Sequence, residues 1–262
     1  MKTLLAPLLL LIFVNVYAQK ADIKNVWVGN DLEYIKIDSD LVRFEVFGQY
    51  LEEKRYFLIS DTLRLYDKFT TSADNYSKQH IKNFDFLINK LSDSGFILIA
   101  LDSNALQLAG GKNQISFVSR KLIKQKINQF EYIKFKYKQT HCTDGCSTIL
   151  LKIDKFKKLL YCGWRYEDKK GFFTAELKDS LYFTLIEILK ISELDKLKSW
   201  DQWVADAPEF TIEISYDGKI LYLKNYFLPS VTNELLTFLL NVSEKVTLIQ
   251  SKEPIDIKFN EN

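Results

Sequence analysis

Between Leu32 and Val118, apolar side chains recur at every second position, and the runs that carry them are cut by short turns. A period of two belongs to a strand with one buried face and does not fit an amphipathic helix. Leu32 to Ile37 leads through Asp38-Ser39-Asp40 into Leu41 to Phe47, and Arg55 to Ser60 and Thr62 to Tyr66 flank Asp61. Phe84, Phe86 and Ile88 alternate along a further run, which Ser92-Asp93-Ser94-Gly95 turns into Phe96 to Leu101; Gln114 to Val118 follows Gly110-Gly111. About seven strands at hairpin spacing predict an antiparallel β-meander that closes into a barrel or partial barrel. Phe44, Phe47, Phe57, Phe84, Phe86, Phe96 and Phe117 can fill its interior, so a packed core is expected ahead of an open ligand cavity.

The amino terminus reads as an address. Lys2 precedes an apolar run from Leu4 to Val14, and Val16-Tyr17-Ala18 places small residues before Gln19. That is the pattern of a cleaved export signal over residues 1–18, with an apolar core too short for a membrane span. The chain expected after cleavage has no transmembrane segment and is placed in the periplasm or outside a bacterial cell. Aromatic residues make up 14% of the chain, in keeping with half-buried pleated surfaces.

Charge is uneven. Between Ser119 and Lys158 eleven Lys and Arg face three acids, although the whole chain carries only +2. Ile133-Lys134-Phe135-Lys136-Tyr137-Lys138 alternates strictly, so one strand face shows Lys134, Lys136 and Lys138. These lysines are the candidate surface for an anionic partner, an envelope polysaccharide or an envelope protein; nucleic acid is not expected for an exported chain. The ordinary alternative is a solvated face whose lysines discourage edge pairing.

From Gln139 onward the reading changes. Ser147 to Asp154, Lys158 to Trp164 and Gly171 to Glu176 read as strands, and Leu181, Leu185, Ile188 and Leu189 mark a helix beginning near Asp179. Phe210 to Tyr216 and Lys219 to Lys224 form a hairpin about Asp217-Gly218, whose turn needs positive φ. Val231, Leu235, Phe238, Leu239 and Val242 stripe a second helix behind Pro229-Ser230. Strands, helix, hairpin, helix describe an α+β domain. The expected fold class is therefore α+β, with the meander or partial barrel over residues 19–125, the α+β domain over 126–250 and a polar tail over 251–262.

No catalytic constellation stands out. Gly-x-Ser-x-Gly, His-Glu-x-x-His and phosphate-cradling glycine loops are absent, and no cofactor is expected. His80 stands alone in a polar segment. His141, Cys142, Cys146 and Cys162 supply metal-ligand types, but neighbours in extended chain point to opposite faces. Three cysteines leave an odd count, with one bridge and one free thiol as the simplest state and three pairings open. Thiol redox work normally uses Cys-x-x-Cys at a helix start; here the spacing is one residue longer and a strand follows. Asp206 before Pro208 reads as a turn-former, and Trp200 and Trp203 as packing or a sugar platform.

Two resemblances add to this. Cys142 and Cys146 before a strand, Tyr161-Cys162-Gly163, Asp206-Ala207-Pro208 and Pro229 together resemble an uncharacterised family of exported bacterial domains of unknown function. The resemblance implies a Cys142–Cys146 bridge and leaves Cys162 as a buried thiol; Ser147 stands where the family usually has proline. Trp27 just ahead of the first strand resembles the entry tryptophan of lipocalin-like barrels, although Trp27-Val28-Gly29 reverses their Gly-x-Trp order. A non-catalytic binding or structural module of the bacterial envelope is the leading expectation. An apolar-ligand carrier and a thiol redox protein using Cys142 and Cys146 are the alternatives.

Overall fold

The computed structural model describes residues 22–46, 52–140, 146–164, 169–199, 204 and 206–260. The export signal, Phe47, His141, Cys142, the Asp144-Gly145 turn, Trp200 and Trp203 lie outside the described residues.

Eight antiparallel strands form a closed barrel: β1 (Val26–Gly29), β2 (Tyr34–Ile37), β3 (Leu41–Glu45), β4 (Glu52–Ile59), β5 (Thr62–Phe69), β6 (His80–Asn89), β7 (Gly95–Ala100) and β8 (Gln114–Ser119). Each pairs with the next, and β1 returns to β8 with Trp27 opposite Ser119. The alternation in the sequence misses β1, because four residues are too few to show a period. Trp27 therefore lies inside the first strand and not ahead of it. Closure leaves this sheet without a free edge, which a partial barrel would have.

Trp27, Ile35, Ile37, Val42, Phe44, Leu63, Leu65, Phe86 and Leu98 all point into the barrel and are essentially inaccessible to solvent. Trp27 meets Phe96 edge-on at 5.0 Å, Phe96 stacks on Phe117 at 5.2 Å, and Phe44 lies 5.9 Å from Phe86. Such ring pairs add about 0.5–1.5 kcal/mol beyond area burial. The indole N–H of Trp27 donates to the Ile23 carbonyl at 2.8 Å, so the polar end of the largest interior side chain is satisfied. Phe57, one of the expected interior residues, faces outward. Lys54 and Tyr56 take the inward positions of β4, which leaves Phe57 on the outer face, 54% exposed and stacked on Tyr66 at 4.9 Å.

The second sheet runs β14 (Lys219–Asn225), β13 (Glu209–Tyr216), β9 (Phe130–Lys138), β10 (Thr148–Asp154), β11 (Lys158–Trp164), β12 (Gly171–Glu176), β15 (Ile249–Gln250). The expected α+β class is overturned: with 44% strand and 19% helix the protein is mostly β. Helices α1 (Ser103–Leu108), α2 (Asp179–Lys190) and α3 (Asn233–Asn241) are short and act as covers. The sequence does not show α1, a six-residue helix capped by Asp102, whose Oδ1 accepts from the Ala105 amide at 2.7 Å. Ile133, Phe135, Leu151, Ile153, Ile212 and Ile214 form a core with Leu185 and Leu189 of α2 and Leu235, Phe238 and Leu239 of α3.

Barrel and sheet share that core. Val28, Leu32 and Tyr34, on the outside of β1 and β2 and the turn between them, belong to the same buried cluster as α3. Beside them Glu45 is buried, accepting from the Ser230 amide at 3.1 Å and from the Ser230 hydroxyl. Arg120 donates to the Val231 carbonyl at 2.9 Å. Burial pushes the Glu45 carboxyl above its ordinary value of 4.5, and the Ser230 donors offset this only in part. A raised folded pKa contributes stability that is full below the unfolded pKa and is lost as pH rises through the folded one. Lowering the pH towards 4.5 is thus expected to strengthen the junction, and Glu45→Gln to flatten that dependence, both read from urea midpoints against pH.

Gly29 ends β1 because nothing larger fits. A Cβ there would land inside van der Waals contact of Glu33 Oε2. That carboxylate cannot swing away, since it accepts from the Asp31 amide at 2.9 Å and from Lys112. Gly29→Ala is expected to cost about 1–3 kcal/mol by overpacking, measurable as a lowered thermal midpoint. This close approach accounts for a glycine after Trp27 where the lipocalin-like order puts it before.

Candidate functional site

Strand alternation sends Ile133, Phe135 and Tyr137 to the helix-covered side of the second sheet and Tyr132, Lys134, Lys136 and Lys138 to the other. β9 is an interior strand, hydrogen-bonded to β10 on one side and β13 on the other. Its lysines therefore guard no edge. Lys134 sits opposite Glu213 of β13 and opposite Lys152 of β10. Lys136 is half-buried and Lys138 exposed.

Lys134 is not a surface lysine. Its ammonium donates to Glu213 Oε1 at 2.6 Å and to the Lys258 carbonyl at 2.6 Å, and Glu213 is fully buried. The Tyr132 hydroxyl donates to Glu213 at 2.8 Å, and the Asn260 amide reaches the second carboxylate oxygen at 2.6 Å. Burial alone would raise the Glu213 pKa. The hydrogen bonds from Lys134, Asn260 and Tyr132 outweigh it and hold the group below 4.5. Burial, then the bond to Glu213, pushes Tyr132 up to about 12. Two ammonium groups lie over the Tyr132 ring, Lys134 at 4.8 Å and Lys152 at 5.3 Å from its centroid, an attraction that offsets part of the repulsion of two lysines on neighbouring strands.

The cover over this cluster is the carboxyl-terminal segment. β15 pairs with β12, the Ser251 amide donates to the Phe172 carbonyl at 2.7 Å, and the chain then crosses the open face of the sheet. Cys162 Sγ contacts the Ile255 carbonyl at 3.7 Å, and Ile257 is buried. From β11, under Ile255, to β13, at Asn260, is three strand spacings, about 14 Å. Five residues of extended chain reach about 16 Å, so the segment is nearly straight. The sequence reading takes 251–262 as a polar tail and misses this. The signal is present in Ile255-Asp256-Ile257-Lys258-Phe259-Asn260, where burial alternates with the apolar residues.

The expected Cys142–Cys146 pair is not described, because Cys142 lies outside the described residues. Cys162 is free, buried on β11, and its thiol is pushed up to about 11 by burial. His80 Nε2 lies 2.6 Å from Asp74, and its ring stacks on Phe69. A separate pocket of about 400 Å³ opens where the barrel loops meet the second half, lined in part by Asp31, Leu32, Lys112, Lys196 and Lys198. A hydrogen bond from Lys112, then the charges of Lys112, Lys196 and Lys198, hold Asp31 below the usual carboxylate range. Among the described residues no helix is long and apolar enough to cross a membrane.

A search of curated proteins matches none. Residues 133–245, running from within β9 to just past α3 and so including Lys134 and Glu213 but not the carboxyl-terminal strap that crosses the sheet, match the model of DUF6438, a domain of unknown function.

Proposed function

We propose that the protein is an exported, non-catalytic binding module whose barrel is a scaffold and whose binding surfaces lie outside it. The observation that carries this reading is the aromatic filling of the barrel: Trp27, Phe44, Phe86, Phe96 and Phe117 occupy the space that a carrier would leave for its ligand. An eight-stranded barrel is just wide enough either to be filled by side chains or to hold one small molecule. Here side chains fill it.

Export is supported by the amino-terminal pattern of Lys2, Leu4 to Val14 and Val16-Tyr17-Ala18. A Cys142–Cys146 staple is supported by Cys162 being free and buried, which leaves those two cysteines for each other. Lys136 and Lys138, with Lys134 withdrawn into its ion pair, remain the basic positions of β9 open to an anionic envelope partner.

The test is a titration of the purified, delipidated protein with a long-chain fatty acid, followed by tryptophan fluorescence. The binding-module reading expects no saturable change. Saturable, stoichiometric quenching would replace it with the carrier reading. Export is checked on the same material: its mass should begin at Gln19, and denaturation should expose one reactive thiol of three.

A further inference from the structure

The strap is held mainly through its backbone. Lys134 takes the carbonyl of Lys258, Glu213 takes the amide N–H of Asn260, and Cys162 faces the carbonyl of Ile255. The Asn260 side-chain amide, 3.1 Å from Glu213, adds a polar contact that depends on the residue. Asp256 and Lys258 point to solvent and pair with each other. The apolar side chains Ile255, Ile257 and Phe259 face the sheet, with Phe259 6.0 Å from the Lys134 ammonium. Oppositely charged groups on adjacent strands thus read a carbonyl and an amide two residues apart, which any extended polypeptide offers.

We propose that this face is a groove for an extended polypeptide segment with apolar side chains at alternate positions, and that the carboxyl-terminal strap occupies it in cis as a self-ligand. The inference deepens the binding-module reading and rests on it, naming the surface and the chemistry of the partner. Groove and occupant are separable by sequence. Lys134, Cys162 and Glu213 lie within the DUF6438 domain at 133–245, whereas residues 251–260 lie beyond it. The domain contributes a charge pair whose remaining donor and acceptor capacity is met here by the backbone of the strap, and unmet polar capacity in a buried site is costly. A partner segment competes with the strap, so apparent affinity is scaled by the fraction of molecules in which the groove is open.

The experiment uses the full-length mature chain and a fluorescein-labelled peptide of residues 251–260, read by anisotropy. Ile257→Asp places a charge at the one buried side chain of the strap and is expected to open the groove. Phe259→Asp is a second opening variant, and near-ultraviolet circular dichroism identifies which retain the packed fold. The folded variant is expected to bind the peptide at least about tenfold more tightly than the wild type does. The same peptide N-methylated at the position of Asn260 loses the N–H that Glu213 accepts, and should bind about tenfold more weakly to the same protein. A folded, opened variant that ignores the peptide would overturn the groove, as would one that binds both peptides equally. A wild-type dimer dispersed by free peptide would make a second copy the occupant and overturn the assignment to a foreign segment. None of these outcomes bears on the fatty-acid titration, so a failed groove and a failed scaffold reading are told apart.

Discussion

Replacing Lys134 by methionine is expected to lower the unfolding free energy by about 3 kcal/mol, the low end of the range for breaking a buried ion pair from one side. The low end applies because the Lys134 side chain keeps 11% of its exposure, while Glu213 keeps none. The cost comes less from the lost attraction than from what stays behind: a carboxylate in the sheet, without its counter-ion, still accepting from Tyr132 and Asn260. The double variant Lys134→Met, Glu213→Leu removes that stranded charge. It should recover only part of the loss, since the Tyr132 hydroxyl and the Asn260 amide are then left without their acceptor. Urea midpoints of the two single variants and the double variant give the coupling directly. A parallel readout is proteolysis, where Lys134→Met should expose residues 251–260 to cleavage.

Acid should loosen the strap in the opposite sense to its effect at Glu45. A depressed folded pKa, as at Glu213, contributes stability that is present above the unfolded pKa and is lost as pH falls through the folded value. Protection of the strap against hydrogen exchange is therefore expected to hold as pH is lowered to 4.5 and to fail below it. Over the same descent the barrel–sheet junction gains from protonation of Glu45.

Trp27→Ala is the second large effect, about 4 kcal/mol for removing a fully buried indole from a packed interior. The loss includes the edge-on contact with Phe96 and the hydrogen bond to Ile23, and it leaves a cavity at the closing strand pair. Trp27→Phe keeps most of the volume and should cost about 1 kcal/mol, chiefly for the unmet Ile23 carbonyl. An engineered apolar cavity of this kind stays dry and takes up small apolar molecules. Trp27→Ala should therefore bind indole or benzene where the wild type does not, and thermal shifts with and without the compound measure the difference.

The sequence exposes local patterns well and long-range pairings badly. Asp217-Gly218 marks its hairpin because only residues tolerant of positive φ fit there, and both adopt it, at 46° and 74°. The stripes of α2 and α3 are equally legible, since burying one face of a helix requires a 3.6-residue period. Barrel closure is not, because β1 is four residues long and its partner β8 lies about ninety residues away. Nor does alternation reveal which strand will flank which. Lys134 reads as one of three lysines on a basic strand face and nothing marks Glu213 within its hairpin strand; only their meeting across 79 residues makes them a buried pair. The strap shows the same limit from another side. Ile255, Ile257 and Phe259 alternate as a strand would, yet they cross a sheet face without joining its ladder.

The most direct test of the scaffold account is the native mass of the protein isolated from its own source, before any delipidation. A packed barrel predicts the mass of the processed chain alone, with no adduct released by organic solvent. A stoichiometric apolar adduct, lost in the Trp27→Phe or Phe44→Ala variants, would place a ligand inside the barrel and contradict it.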